Sequence, residues 1–300
     1  MRPGLPRRAT LAARAALVGL LYAGSAASAL CADGAPITPV SQTGAAPAVL
    51  AARAGMGGDY RPVRGGLLRS VLPGDGVDSP ALVAPFQLRT RPVSNAEFRA
   101  FIQQHPEWRR GDVAALFAGS TYLRGWSGAD DPAPLADNAP VVNVSWYAAQ
   151  AYCASEQARL PRWHEWEFAG AADDSRADAR DDPLWLARIL NWYSRPGNTP
   201  PGAIGQGTPN YYGMQDMHGL VWEWVEDYNG LFVNADSRAK GEQKQLDYCG
   251  GAAVTLADRR NYAVLMRLAL LAAMESNQDG ANLGFRCARD AVPTIKESTP

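Results

Sequence analysis

Three short segments constrain this chain more than its length does. Gly213 to Tyr228 reads GMQDMHGLVWEWVEDY, Arg159 to Phe168 reads RLPRWHEWEF, and Asn282 to Cys287 reads NLGFRC. The first two crowd Trp and acidic residues together, and the third is a short apolar strand that ends in Cys. Trp163, Trp166, Trp222 and Trp224 are read as core residues, because large aromatic side chains contribute mainly through burial. Trp108, Trp126 and Trp192 are placed in loops, and one of them is expected to line a groove.

The N-terminus carries a different signal. Residues 1–29 hold Arg2, Arg7, Arg8 and Arg14 with no acid, then an apolar run from Leu11 to Tyr22, then Ala27, Ser28 and Ala29. A basic start, a short apolar run and a small-residue cleavage site are the marks of a secretory signal peptide. The run is too short to span a membrane. Arg7 and Arg8 are compatible with the twin-arginine export route. Cys31 is a poor lipid-attachment residue, because Leu30 stands before it. Removing residues 1–29 takes four positive charges from a chain of net charge −1, leaving −5, and no basic patch that would bind nucleic acid. Residues 30–60, rich in Ala, Gly and Pro, read as a flexible leader. A folded domain is expected over 61–290, with a polar tail over 291–300. A hydrophobic content of 47% gives that domain a full core.

Within the domain, 65–72 and 82–88 read as strands. Ser94 and Glu97 form a capping box for a helix over 95–105, with Phe98, Phe101 and Ile102 on one face. Residues 141–145 read as a strand, and helices are expected over 146–158, 164–172, 181–193 and 258–275. The run from Tyr262 to Met274 is apolar apart from Arg267, which at that length predicts a buried helix. From Ser194 to Gly219 the chain is rich in Gly and Pro, with little periodicity. Such a loop region is unusual for a regular α/β fold.

The three segments together resemble the formylglycine-generating, or sulfatase-modifying-factor, family. That family's landmarks run in the order R-L-P…E-W-E, then D-M-x-G-N-V-W-E-W, then G-G-S-x-x-C, then N-L-G-F-R-C. The resemblance covers about residues 65–290 and implies an α+β, C-type-lectin-like fold with little regular secondary structure. Residues 105–110, 224–229 and 261–267 are similar to those of the exported accessory proteins encoded beside copper nitrite reductases, the NirV type.

The landmark that is missing carries the family's chemistry. The family's enzyme holds Cu(I) between two thiolates, the soft ligands that ion prefers. Here Gly250 and Gly251 are present, but the aligned positions are Thr255 and Arg260, and the family's Ser is replaced by Ala252. No Cys occurs between Gly250 and Arg286. The resemblance pairs Cys153 with Cys287, in a disulfide that an oxidising compartment permits. It leaves Cys31 and Cys249. Cys249, next to Gly250, is the candidate catalytic residue, as a reactive thiol or metal ligand. It reads equally as a buried inert Cys, or one paired with Cys31.

For metals, the resemblance offers calcium. Asp216, Gly219, Val221 and Glu223 match the family's ligands, two as side chains and two as backbone carbonyls. Calcium takes hard oxygen donors, and a Gly turn lets carbonyls converge with carboxylates. Leu220 departs from the family's Asn. A second calcium site at Asn191 lacks its acid. The three histidines, His105, His164 and His218, show no H-x-x-x-H spacing and do not predict the three-His iron site of related sulfoxide synthases. The reading is an exported, formylglycine-generating-enzyme-like protein without the copper thiol pair. It would act as an accessory or maturation factor with a periplasmic protein or peptide partner. The alternatives are a diverged metal-dependent oxidoreductase and a sugar-binding lectin-like domain.

Overall fold

The computed structural model describes residues 59–70, 72, 80–194, 200–230 and 256–291, with the side chains of 256–263 left out. The expected signal peptide, the leader up to residue 58 and the tail from 292 lie outside the described residues. So do Cys31, Cys249, Gly250, Gly251, Ala252, Thr255 and the Arg260 side chain.

A three-stranded antiparallel sheet joins the two ends of the domain. Strand β4 (Phe86–Arg89) lies between β1 (Tyr60–Val63) and β7 (Ala288–Asp290). A second pair, β2 (Gly66–Leu68) and β3 (Ala81–Val83), runs antiparallel with Leu67 opposite Leu82. A third pair is parallel and only two residues long: β5 (Trp222–Glu223) against β6 (Leu283–Gly284). The expected long strands are therefore shorter. The run read over 65–72 gives only β2. Pro85 separates β3 from β4, because proline offers no N–H to a ladder.

The helices follow their caps. In α1 (Asn95–Gln104), the Ser94 hydroxyl accepts from Glu97 N, and Ser94 N donates to the Glu97 carboxylate at 2.8 Å. Its buried face includes Phe98, Phe101 and Ile102. Ser145 caps α2 (Trp146–Ser155) by accepting from Ala148 N at 3.1 Å. That helix stops before Ala158, where Gln157 takes a left-handed φ of 57°. Asp182 caps α4 (Pro183–Tyr193) by accepting from Leu184 N and Trp185 N, with Pro183 at the first helical position. Two further helices are α3 (Trp163–Gly170) and α5 (Leu256–Ala272). Among the described residues, no helix is long and apolar enough to cross a membrane.

The expected strand over 141–145 is not formed. Val141 N donates to Val93 O, whereas Asn143 N donates to Gly280 O and Asn143 O accepts from Leu123 N. Asn143 has φ 56°, which Asn tolerates and a regular strand does not. This irregular segment threads the core, its buried backbone groups paired with three separate parts of the chain. It also approaches β6 so closely that a Cβ on Gly284 would sit 2.6 Å from Val141 O. That contact accounts for the glycine of the NLGFRC segment.

One hydrophobic core holds these parts together. Phe98, Phe101, Tyr152 and Phe285 pack ring against ring at centroid distances of 5.4–6.2 Å. Beside them a disulfide joins Cys153 of α2 to Cys287, with S–S 2.01 Å and both residues fully buried. The bridge spans 134 positions. In the loop-entropy account, its removal by Cys153→Ala with Cys287→Ala lowers stability by about 4–5 kcal/mol. Urea unfolding of the double variant checks this, and an unchanged midpoint would contradict it.

Candidate functional site

Every landmark segment converges on one buried cluster of charge. The β5–β6 pairing sets it up: Trp222 N donates to Asn282 O at 2.8 Å and Trp224 N to Gly284 O at 3.0 Å. Alternation along β5 turns Glu223 inward, where it is fully buried. A buried carboxylate needs a partner, and Arg286 supplies it. Its Nε lies 2.8 Å from one Glu223 oxygen and its Nη2 lies 2.9 Å from the other. Arg286 also donates to the carbonyls of Arg89, Thr90 and Gln215, so one guanidinium ties β4, the Gly213–Tyr228 segment and β5 to the Asn282–Cys287 segment.

The other segment completes the cluster. Trp166 Nε1 of α3 donates to Glu223 at 2.7 Å. The Arg267 guanidinium of α5 stacks on Trp166, 3.6 Å from the ring centroid, and donates to the Glu223 carbonyl. Arg267 is almost wholly buried, and burial lowers its pKa to about 10, opposed by Glu223. Sequence reading missed this arginine as a site residue, although a single charge inside an apolar helical run was a usable signal. A backbone contact and a cap also hold α3 against the landmark strand. Glu226 N donates to Pro161 O at 2.9 Å, and Trp163 N donates to the Asp227 carboxylate at 2.8 Å.

The four groups offered to calcium are placed by this arrangement, and Glu223 does not fit the role. Both of its oxygens accept from Arg286, and one also accepts from Trp166. A guanidinium at hydrogen-bond distance occupies the position a cation would need. Asp216 takes a left-handed conformation with φ 57° and accepts from Gly205 N at 2.6 Å. Burial raises its pKa, while Arg286 and Arg91 pull it down. Gly219 turns with φ 100° under the Trp192 ring, and Val221 is buried. Among the described residues, no group of three or more His, Cys, Asp or Glu is arranged to hold a metal ion.

The three histidines have separate surroundings. His105 ends α1 and lies 3.5 Å from Glu107, and His164 sits in the first turn of α3. His218 Nε2 lies 2.8 Å from Gly170 O. Of the three Trp residues assigned to loops, Trp126 is buried and its Nε1 donates to Asn95 at 3.3 Å. Trp192 lies on α4, packed on Tyr193 and Trp222, and Trp108 follows α1 in a short 3-10 turn. Of the four assigned to the core, Trp163, Trp166 and Trp224 are buried and each of their indole N–H groups has an acceptor, while Trp222 is half-buried against the core. Trp163 donates to Glu167, Trp166 to Glu223 and Trp224 to Val144 O.

Burial lowers the His218 pKa from 6.5 to about 4, against a smaller upward pull from Gly170 O. The sign of the pH dependence follows. An unfolded chain protonates this ring near pH 6.5, whereas the folded one resists protonation until about 4. The stability contributed is complete above about pH 6.5 and is lost as pH falls towards 4. His218→Gln is expected to flatten the pH dependence of unfolding in that window relative to the parent. Parallel curves for parent and variant would contradict the assignment.

Residues 63–291 match the model of the sulfatase-modifying factor enzyme 1-like domain. The chain is 29% identical over 184 residues to the mouse formylglycine-generating enzyme, covering 52% of this chain and 46% of that protein. It thus spans about half the length of that relative. It is 27% identical over 258 residues to the mouse inactive C-alpha-formylglycine-generating enzyme 2, covering 73% of this chain and 79% of that protein. It is 33% identical over 165 residues to the hercynine oxygenase of Mycolicibacterium smegmatis, covering 48% and 37% of the two chains. The family match takes in well over half the chain and every segment of the buried cluster, and the chain therefore belongs to the sulfatase-modifying factor enzyme 1-like family.

Proposed function

We propose that this protein is an exported family member that has given up the copper chemistry of formylglycine generation. It would serve as an accessory or maturation factor for a periplasmic redox enzyme such as a copper nitrite reductase, through a protein or peptide partner. One observation carries the reading: no Cys lies between Gly250 and Arg286. A hydroxyl at Thr255 and a guanidinium at Arg260 cannot replace the two thiolates that Cu(I) requires. Meanwhile the scaffold is intact, with Arg286, Trp166 and Arg267 each bonded to Glu223. Keeping the frame while losing the reactive pair is what a binding role would leave behind. The similarity to an inactive mouse relative supports this reading.

A second reading is a diverged metal-dependent oxidoreductase that modifies a peptide or small molecule, with Cys249 as its reactive or metal-binding group. The similarity to a hercynine oxygenase favours it. Metal content after reconstitution with copper or iron, together with oxygen uptake, separates the two readings.

Two experiments test the first reading. A Cys-containing sulfatase-type peptide, incubated with the protein, Cu(I) and oxygen, is expected to keep its mass. Conversion of its thiol to an aldehyde would overturn the proposal. A copper nitrite reductase co-produced in the periplasm with this chain is expected to carry more copper than the same enzyme produced alone. Equal copper contents would remove the maturation role.

A further inference from the structure

A small cavity lies where α3, α4, α5 and the Gly213–Tyr228 segment meet. Its walls are mainly apolar, with Trp166, Gly170, Trp185, Leu186 and Val264 among them, and His218 closes one side. The Trp166 and Trp185 rings flank the imidazole at centroid distances of 5.4 and 5.6 Å, both nearly perpendicular to it. The space open to the centre of a water-sized sphere is about 10 Å³. That is room for about one water molecule and nothing larger.

The chemistry of His218 decides what fills it. Gly170 O is an acceptor only, so the proton of the neutral ring sits on Nε2, 2.8 Å away. Nδ1 is then a bare acceptor. It is buried, and no protein donor reaches it. Buried acceptors in native proteins are satisfied by protein or by ordered water. Glu167 and Arg180 also line the cavity; they form an ion pair whose closest atoms, Oε1 and Nη1, stand 3.6 Å apart, and each is bonded elsewhere too, Arg180 to Arg69 O and Glu167 to Trp163. A gap of that kind between polar groups is one that a water commonly bridges.

We propose that this cavity is a hydration site for one buried water, which donates to His218 Nδ1 and links it to the Glu167–Arg180 pair. The water completes the hydrogen bonding of a ring that otherwise has one half unmatched. It also commits His218 to structure: one nitrogen serves a carbonyl, and the other faces a space that admits no metal with its remaining ligands.

Two measurements test this on the full chain. A high-resolution crystal structure is expected to show a single water-sized density peak within hydrogen-bond distance of His218 Nδ1. Long-range proton–nitrogen NMR of the labelled protein at neutral pH is expected to show the His218 ring protonated at Nε2 alone. An empty cavity, a ring protonated at Nδ1, or a metal bound to Nδ1 after incubation with copper, zinc or iron would each overturn the proposal. Ala171→Val adds two methyl carbons to a residue of the cavity wall. The variant is expected to lose the density peak and to melt at lower temperature. A variant that keeps the peak while filling the cavity would also contradict the assignment.

Discussion

The ion pair between Glu223 and Arg286 is the constraint on which the rest of the site depends. Both residues are completely buried. Taking two charges out of water costs several kcal/mol per ion, and the loss is recovered only where geometry is good and the remaining donors and acceptors are matched. Here they are matched. The carboxylate takes Arg286 on both oxygens and Trp166 on one, and the guanidinium spends its other donors on three backbone carbonyls. The pair therefore stitches together segments that no regular sheet connects. A two-residue parallel ladder between β5 and β6 would be a weak joint alone. With the ion pair beneath it, that joint becomes the centre of the domain.

How much of this was legible in the sequence depended on whether the physics was local. Ser94 with Glu97, Ser145, and Asp182 before Pro183 announce their helices, because a cap acts within three residues. The strands were harder to read. The segment around Asn143 looks extended and apolar, but its backbone bonds scatter to Val93, Leu123 and Gly280, partners that no local pattern reveals. Trp163, Trp166 and Trp224 were readable as core; Trp126 does lie in a loop, but its burial against Asn95, 31 positions earlier, is something no local pattern reveals. Glu223 is the instructive case. An acid between two tryptophans has to be paired once buried. Arg286, between Phe285 and Cys287, was in plain view as the other member. Likeness to a family directed that carboxylate to calcium, and the geometry directs it to arginine.

The same arrangement explains how family membership and the absence of a thiol pair after Gly250 and Gly251 coexist. The parts that build the frame are Glu223, Arg286, Trp166 and the disulfide from Cys153 to Cys287. The parts that would hold copper are thiols in a different stretch of chain, and there the sequence has Thr255 and Arg260. Because the frame's cohesion does not run through those thiols, they can be lost without unfolding the domain.

The central claim is that Glu223 serves as the counter-ion of Arg286, and a double-mutant cycle tests it most directly. Glu223→Gln and Arg286→Met, singly and together, are compared by urea unfolding in the presence of EGTA. Each single change leaves one buried charge unpaired and is expected to cost about 3–5 kcal/mol. The double variant should lose much less than the sum, giving a coupling of about 1–3 kcal/mol or more. Additive losses would show that the two side chains act independently, and the account of the site would fail with them.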